Sequence, residues 1–333
     1  MRRSLFFLGI DAGATKTHAL VADDSGHVLG LGQAGPGNWE GVGLDGARLV
    51  YTTAIEKALA EAGLRVGQLC AAGYGLAGMD WPSDEARLGA VLDRLGVPGP
   101  RILVNDAYAA LRAGTRSGYG VAAIAGTGTT VAGCNAHGER FRTFGEGMGL
   151  GDIGGAGDIV FWALRAAALA YTGRGQPTAL TERFLALYGL ESFAQLAEKL
   201  CRHEVEPPRA ALAPMVFEVA EAGDGVARDV LHFVGYELGA NAAAVARRLG
   251  LAGTPFELVL AGGVFRAQSS LFVSAVLEAV RAESPAVQPI ILHTAPVVGS
   301  VLLGMEAAGL TVAAEVHDRL AAETRARLQG PAR

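Results

Sequence analysis

The stretch FFLGIDAGATKTHALVADDSGHVLG, residues 6–30, alternates apolar runs with glycine-rich turns. This pattern predicts three short strands joined by hairpins. The first apolar run ends at Asp11, and the polar and glycine positions of the turn that follows are Gly13, Thr15, Lys16 and Thr17. A chain that opens with such a meander and continues with strands and helices in alternation is typical of the α/β class.

The turn after Asp11 has the composition of a phosphate-binding loop. Backbone N–H groups and threonine hydroxyls in a tight turn can receive an anion, and Lys16 adds a point charge that suits phosphate. Lysine is rare in this chain, which holds only Lys16, Lys57 and Lys199. The P-loop pattern does not occur, and a Rossmann loop would lead into a helix rather than a strand. The alternative is an ordinary hairpin whose glycines supply positive φ.

The opening pattern returns in GVAAIAGTGTTVAGCNAHGERFRTFGE, residues 120–146. A period of about 115 residues is too long for a solenoid and indicates two related domains. The second Gly/Thr turn, AGTGTT at residues 125–130, supports the interpretation of the first as a phosphate-binding loop. Two such hairpins in repeated domains can face each other across a cleft. Between and after the repeats, strands alternate with helices, which predicts parallel strands flanked by helices.

Two carboxylates stand where buried strands end. Asp11 could hold Mg²⁺ through water against bound phosphates, although a turn-forming aspartate is the alternative. Asp106 follows the apolar run Ile102-Leu103-Val104, and the carboxyl edge of an open α/β sheet is where ligands bind. A carboxylate there can accept the proton of an attacking alcohol in phosphoryl transfer. Capping of the next helix by Asn105 or Asp106 is compatible with that role.

Composition excludes several classes of protein. Half of the 333 residues are apolar, 18% are charged, and the net charge is −5 without a basic cluster, so nucleic acid is not an expected partner. Outside the start of the chain no run reaches the ~18 apolar residues of a membrane span. The start, MRRSLFFLGIDAGA, imitates a signal peptide, but Asp11 interrupts its apolar run, which favours a buried strand. Three scattered cysteines fit a reducing cytoplasm.

Four motifs in order give the chain a resemblance to a known family. These are GIDAGATKT, VNDAYAA, IAGTGTT and LAGGVF. The chain resembles the N-acetylglucosamine kinases and the related BadF/BadG/BcrA/BcrD ATPases, within the acetate kinase, sugar kinase, Hsp70 and actin superfold. The resemblance implies an α/β fold of two duplicated ribonuclease H-like (actin-like ATPase) domains around a nucleotide and sugar cleft. It also implies an enzyme that uses ATP and Mg²⁺ to phosphorylate the 6-hydroxyl of N-acetylglucosamine or glucosamine.

The family's functional residues carry over by position. Asp106 would be the catalytic base and Asp11 the residue near Mg²⁺. The nucleotide contacts would be Gly13, Thr15, Lys16, Thr17, Gly126, Thr127, Gly128, Thr129, Gly262 and Gly263. The contacts to the sugar, besides Asp106, would be Asn38, Trp39, Gly78, Gly145 and Asp152. Without the resemblance, Asn38 reads as a turn residue and Asp152 as a helix cap.

The domain organisation follows from the repeat and the resemblance. We expect an N-terminal domain over residues 1–118, joined by a C-terminal helix at 310–330, and a second domain over 119–309 with a helical insertion at 156–250. The resemblance further implies a cytoplasmic homodimer whose partner molecule is an amino sugar.

One alternative function stays open at this point. Within the same family, nucleotide-dependent activators hydrolyse ATP without phosphorylating a sugar. Those that serve CoA-linked dehydratases hold an iron–sulfur cluster, which needs thiolates in close groups. Cys70, Cys134 and Cys201 are far apart in the sequence, which disfavours that member of the class. A sugar-dependent gain in ADP release separates the two functions.

Overall fold

The computed structural model describes residues 4–329, and over this range it confirms an α/β fold with two five-stranded sheets. The strands are β1 Phe6–Ala12, β2 Thr17–Asp23, β3 Val28–Ala34, β4 Leu69–Leu76, β5 Arg101–Val104, β6 Gly120–Ala125, β7 Thr129–Cys134, β8 Arg140–Arg142, β9 Glu257–Ala261 and β10 Gln288–Ile291. The α-helices are α1 Trp39–Ala62, α2 Pro82–Asp93, α3 Asp106–Gly114, α4 Ala156–Tyr171, α5 Ala179–Tyr188, α6 Phe193–Cys201, α7 Ala213–Glu221, α8 Gly225–Arg248, α9 Ser270–Arg281, α10 Pro296–Ala307 and α11 Ala314–Gln329.

The first sheet has the strand order β3-β2-β1-β4-β5. β2 runs antiparallel to both β1 and β3, whereas β4 runs parallel to β1 and β5 parallel to β4. The predicted hairpins of residues 6–30 are therefore confirmed. In the β1–β2 register, Asp11 lies opposite His18. Because directly opposed residues share a face of the sheet, Asp11 and His18 project to the same side.

The two faces of this sheet are covered by different helices. Leu8 and Ile10 belong to a core with α1 and α2, whereas Phe7 belongs to a second core with α10 and α11. α10 approaches β1 so closely that a Cβ on Gly9 would lie 2.5 Å from the backbone nitrogen of Val301. The alternation along β1 thus produces a strand buried on both faces, whose carboxyl end carries Asp11.

The second sheet repeats this arrangement. Its order, β10-β9-β6-β7-β8, is the order of the first sheet read from the other edge, with β6 to β10 in the places of β1 to β5. The internal repeat that the sequence predicted is confirmed in the strand order. α4 to α8 lie between β8 and β9 in the chain.

The chain divides into two compact units. Among the described residues, the first comprises 4–122, Ala132–Arg140 and 290–329, and the second comprises Ala123–Val131 and Phe141–Pro289. α10 belongs to the first unit, although the sequence division kept residues up to 309 in the second domain. The bounds predicted from the sequence for the two repeated domains stay a prediction. None of the helices within residues 4–329 is both long and apolar enough to cross a bilayer.

α11 is fastened to the β2–β3 hairpin through Glu323. One carboxylate oxygen lies 2.9 Å from Nδ1 of His27, and the other accepts a hydrogen bond of 2.8 Å from the N–H of Val28. Burial alone would raise the pKa of Glu323, but these two partners hold it below its ordinary value. A carboxylate with a lowered pKa stabilises the fold above its unfolded pKa, and this contribution is lost as the pH falls through its folded pKa.

We therefore expect Glu323→Gln to lower the urea midpoint of unfolding at pH 7 by a small amount. The difference from wild type should shrink as the pH falls from neutral and disappear below the lowered folded pKa, where the carboxyl is protonated in both states. Urea unfolding at pH 7, 5, 4 and 3 measures this difference. The control is Glu315→Gln, a change at an exposed position in the first turn of the same helix. A difference between wild type and Glu323→Gln that is constant with pH would contradict the prediction.

Candidate active site

The first Gly/Thr turn is a tight loop between β1 and β2. The N–H of Gly13 donates to the carbonyl of Lys16 at 3.0 Å, and the side chains of Thr15 and Lys16 are exposed. Thr17, by contrast, is fully buried, and its hydroxyl finds no hydrogen-bond partner among residues 4–329. Thr15 and Lys16 are thus accessible to a phosphate, whereas Thr17 faces the interior.

The loop that carries Asn38 is joined to this turn. The carbonyl of Gly13 accepts hydrogen bonds from the N–H groups of Gly37, at 3.0 Å, and Asn38, at 3.3 Å. Asn38 is the N-cap of α1, since its Oδ1 accepts from the N–H of Glu40 at 3.0 Å. The reading of Asn38 as a turn residue is therefore corrected to a helix cap, because its side chain satisfies a free N–H of the first helical turn.

Trp39 connects the same region to the loop after β4. Its Nε1 donates to the carbonyl of Gly78 at 2.7 Å. Gly78 has φ +83°, and a Cβ there would lie 2.5 Å from Oδ1 of Asn38 and 2.9 Å from the Trp39 ring. Glycine is required at this position both by the backbone conformation and by the close packing. The structure thus brings Gly13, Asn38, Trp39 and Gly78 together.

Asp106 is the first residue of α3, directly after the N-cap Asn105. Asn105 caps the helix through its own side chain, which accepts from the N–H of Ala107 at 3.0 Å. The cap is thus made by Asn105, one of the two residues for which the sequence predicted it. Burial, followed by the charge of Asp106, raises the pKa of Asp11 to about 7, while Lys16 acts in the opposite direction. Asp106 and Lys16 therefore each lie within electrostatic reach of Asp11.

His18 is a residue that the sequence analysis missed. It is 3% exposed, and burial together with the charge of Lys16 lowers its pKa to about 4, so that it is neutral at pH 7. Its Nδ1 has no hydrogen-bond partner among the described residues. The signal that could have revealed it is the hairpin register, which places His18 opposite Asp11.

The second Gly/Thr turn lies in the second unit, against the start of α4. The N–H of Ala156 donates to the carbonyl of Gly126 and that of Gly157 to the carbonyl of Thr127, each at 2.9 Å. Thr127 and Gly128 are exposed, whereas Thr129 is buried and donates its hydroxyl proton to the carbonyl of Ile124 at 2.8 Å. The exposed tip can receive a ligand, and Thr129 holds the turn closed.

The carboxylate of Asp152 is hydrogen-bonded to backbone N–H groups of the preceding loop. It is 1% exposed, and its Oδ2 accepts hydrogen bonds from the N–H groups of Gly145, at 2.7 Å, and Glu146, at 3.1 Å. The N-cap of α4 is instead Gly155, and Asp158 in the first helical turn accepts hydrogen bonds from the N–H groups of Gly154 and Gly155. The reading of Asp152 as a helix cap is thus wrong. Asp152 closes the loop that holds Gly145, so these two predicted residues are neighbours.

The glycine pair after β9 lies beside the second Gly/Thr turn. Gly262 has φ +105°, and a Cβ there would lie 2.2 Å from the carbonyl oxygen of Ala125, while Gly263 is open to solvent. A cavity of about 410 Å³ in the same unit is lined by the chain that follows, including Gln268 and Ser270, and by α7 and α8.

The residues of the first unit fit a divalent cation bound together with phosphates. Burial, followed by the charge of Asp106, raises the pKa of Asp11, so a positive ion beside these two carboxylates is favoured. Carboxylate oxygens are ligands that Mg²⁺ prefers. Within residues 4–329 no group of three or more histidine, cysteine or acidic side chains could hold a metal. The remaining ligands of such an ion would be phosphate oxygens and water.

Comparison with known proteins gives a match along most of the chain. Residues 8–304 match the family model described as the BadF/BadG/BcrA/BcrD ATPase family. The chain is 30% identical to the N-acetylmuramic acid/N-acetylglucosamine kinase of Clostridium acetobutylicum over 260 residues, which covers 78% of this chain and 85% of the relative. It is also 30% identical to the N-acetyl-D-glucosamine kinase of Dictyostelium discoideum over 276 residues, covering 77% and 84%.

Solved structures share the fold. A candidate N-acetylglucosamine kinase from Chromobacterium violaceum superimposes with a TM-score of 0.64 at 22% identity, covering 90% of this chain and 98% of that one. A ROK hexokinase from Thermus thermophilus superimposes with a TM-score of 0.60 at 19% identity, covering 92% and 100%. Likenesses at this level of identity concern the fold alone, and they confirm the predicted class of duplicated actin-like domains.

Proposed function

The chain belongs to the BadF/BadG/BcrA/BcrD ATPase family, and from this premise we propose that it is an ATP-dependent amino-sugar kinase. The acceptor is the 6-hydroxyl of N-acetylglucosamine or glucosamine. The observation that carries the proposal is the placement of Asp11 and Asp106 at the same end of the first sheet, beside the Gly/Thr turn of Lys16. Asp11 pairs with Gly75 of β4, and a Cβ on Gly75 would lie 3.6 Å from Cα of Asp106. Burial, followed by the charge of Asp106, raises the pKa of Asp11. A carboxylate base beside a phosphate and cation site is what phosphoryl transfer to an alcohol requires.

In this proposal the accessible positions of both Gly/Thr turns receive the phosphates of ATP. In the first turn these positions are Gly13, Thr15 and Lys16, and in the second Gly126, Thr127 and Gly128. The buried hydroxyls of Thr17 and Thr129 are less accessible, so their proposed contribution is to the shape of the turns. Mg²⁺, held near Asp11, supplies neutralisation of the phosphate charge.

Asp106 accepts the proton of the sugar 6-hydroxyl. At the same time, the oxygen of that hydroxyl forms a bond to the γ-phosphorus of ATP. The bond between that phosphorus and the bridging oxygen of ADP breaks, and ADP carries away the electron pair. The start of α3 suits this role, because it directly follows β5 at the carboxyl edge of the first sheet. Asn105 caps this helix by accepting a hydrogen bond from the N–H of Ala107.

The acceptor site is proposed to include Asn38, Trp39, Gly78, Gly145 and Asp152. The carboxylate of Asp152 already accepts two backbone N–H groups, which compensates part of its charge. A free ammonium group would need an uncompensated carboxylate, whereas an acetamide needs hydrogen bonds and a shaped pocket. We therefore propose that N-acetylglucosamine, rather than glucosamine, is the preferred substrate. Both curated relatives carry N-acetylglucosamine in their names.

The nucleoside of ATP is proposed to lie beside Gly262 and Gly263 and to extend into the cavity lined by Gln268 and Ser270. Gln268 has φ +51°, an unusual conformation for a residue with a side chain, and such conformations concentrate at ligand sites.

Ser270→Trp should weaken binding of a non-hydrolysable ATP analogue at least about tenfold, because the indole would occupy a cavity of about 410 Å³. Ser270 is exposed at the first position of α9, so the fold should tolerate the change. Titration calorimetry measures the affinity, and Ser270→Ala serves as the control. An unchanged affinity in Ser270→Trp would remove this cavity from the nucleotide site.

The proposed function is tested by ADP release from Mg²⁺-ATP in the presence of single sugars. The panel is N-acetylglucosamine, glucosamine, glucose, N-acetylmannosamine and N-acetylmuramic acid. We expect N-acetylglucosamine to stimulate release most strongly, with a 6-phosphorylated product found by mass spectrometry and NMR. Slow hydrolysis that no sugar changes would refute the kinase and favour a nucleotide-dependent activator. Homodimerisation and a cytoplasmic location stay predictions, which size-exclusion chromatography with light scattering and cell fractionation would test.

A further inference from the structure

Asn105, the N-cap of α3 in the first compact unit, forms hydrogen bonds through both the oxygen and the nitrogen of its side-chain amide. It is 6% exposed. Its Oδ1 accepts from the N–H of Ala107 at 3.0 Å, and its Nδ2 donates to Oδ1 of Asp80 at 2.9 Å. Asp80 lies in the loop between β4 and α2, distant in sequence from α3. The residue that directly precedes the proposed base is therefore fixed by a carboxylate from another segment.

Asp80 is in turn held in place by Asp84. The carboxylate of Asp84 is 2% exposed, and its Oδ2 accepts hydrogen bonds from the N–H groups of Asp80, at 3.2 Å, and Trp81, at 2.8 Å. Arg87 lies 3.5 Å from the other oxygen of Asp84. This arrangement fixes the backbone of the β4–α2 loop at the position from which the Asp80 side chain reaches Asn105.

The chemistry of a primary amide explains why the Asp80 carboxylate matters. An asparagine side chain has one acceptor end and one donor end, and a flip exchanges them. To cap α3, the oxygen of Asn105 must face the N–H of Ala107, which leaves its NH₂ group facing away. A buried NH₂ group needs an acceptor, and Asp80 supplies it. Asp80 thereby selects the one orientation of the amide that caps the helix.

We propose that Asp80 is a positioning residue for phosphoryl transfer, acting through Asn105 on the first turn of α3 and hence on Asp106. This inference rests on the proposed kinase function. Asp106 is the first helical residue, so its backbone direction depends on how the cap is held. A carboxylate base acts only within hydrogen-bond reach of the hydroxyl, and a displacement of about 1 Å can cost on the order of 10²-fold in rate.

The experiment compares Asp80→Ala with Asp80→Asn in steady-state kinetics. In Asp80→Ala we expect kcat to fall about 10- to 100-fold, with KM for ATP and for the sugar changed less than about threefold. Asp80→Asn should retain at least about a third of kcat, because its carbonyl oxygen can still accept from Asn105. Asp45→Ala is the matched control, since Asp45 lies in the same unit with a side chain that is 88% exposed.

A double-mutant cycle decides whether Asp80 acts through Asn105. If it does, Asp80→Ala should add little to the effect of Asn105→Ala. Additive effects would overturn the proposal, as would an equal loss of kcat in Asp80→Ala and Asp80→Asn. A sugar KM raised tenfold or more with kcat unchanged would also overturn it, since Asp80 would then be a substrate contact. Circular dichroism checks that each variant folds.

A second readout separates this inference from the proposed function. Hydrogen exchange followed by mass spectrometry should show faster exchange over residues 106–110 in Asp80→Ala but not in Asp80→Asn. If wild type releases no ADP in response to any sugar, the proposed kinase fails, yet the exchange data still decide whether Asp80 holds α3. Unchanged exchange in Asp80→Ala overturns the inference whatever the activity.

Discussion

Asp106→Asn is expected to lower kcat for sugar phosphorylation by about 10²–10⁴-fold, the range in which positioned general bases contribute. An amide retains the size of the carboxylate and can still accept a hydrogen bond from the 6-hydroxyl, but it cannot take up the proton. Because the contact with the sugar is largely kept, KM for the sugar should change much less than kcat. The helix should persist, since Asn105 is the N-cap of α3.

Steady-state kinetics with coupled ADP detection measures the loss, and calorimetry with an ATP analogue shows whether nucleotide still binds. Asp45→Asn is the control, because Asp45 is an exposed aspartate of the same unit. A kcat within about threefold of wild type would exclude Asp106 as the base. A loss confined to nucleotide affinity would instead assign Asp106 to the cation site.

Asp11→Asn is expected to abolish most activity and yet to stabilise the free protein. Burial and the charge of Asp106 raise the pKa of Asp11 from 3.8 to about 7. A group with a raised pKa in the folded state favours folding when protonated, and this contribution is lost as the pH rises towards the folded pKa. At pH 8 the wild type therefore bears an unfavourable buried charge, which the neutral amide removes.

Urea unfolding without nucleotide or Mg²⁺ measures this effect. At pH 8 we expect a gain of about 1–3 kcal/mol for Asp11→Asn, below the roughly 4 kcal/mol that corresponds to the full shift in pKa. The gain should shrink at pH 5, where the wild-type carboxyl is mostly protonated in the folded state. In activity assays the variant should lose on the order of 10²-fold or more in kcat/KM for Mg²⁺-ATP. A variant less stable than wild type at pH 8 would contradict this account.

Much of the fold was predictable because local patterns determine it. The apolar runs and glycine-rich turns of residues 6–30, and their return at 120–146, predicted both the hairpins and the repeat, and the two strand orders agree with them. A glycine likewise ends α1, because Gly63 is its left-handed cap with φ 64°. Such features depend on residues close in sequence, where spacing carries the information.

The details of the site depended on contacts between distant segments. Nothing in the spacing could show that Asp80 reaches Asn105 or that Asp152 is engaged by the N–H groups of Gly145 and Glu146. The sequence pattern does not distinguish Thr17 from its neighbours in the turn, but β2 begins at this residue, and its side chain faces the core. One residue of register decides between an exposed and a buried hydroxyl.

The carbonyl of Gly13 lies in the phosphate turn and accepts hydrogen bonds from the backbone of Gly37 and Asn38. A ligand that shifts this peptide group must also shift the start of α1, and a ligand that fixes Asn38 must also fix the turn. Thermodynamic linkage then makes the two affinities interdependent, with one coupling free energy that is the same in both directions. Nucleotide should therefore change the affinity for the acceptor by the same factor by which the acceptor changes the affinity for nucleotide.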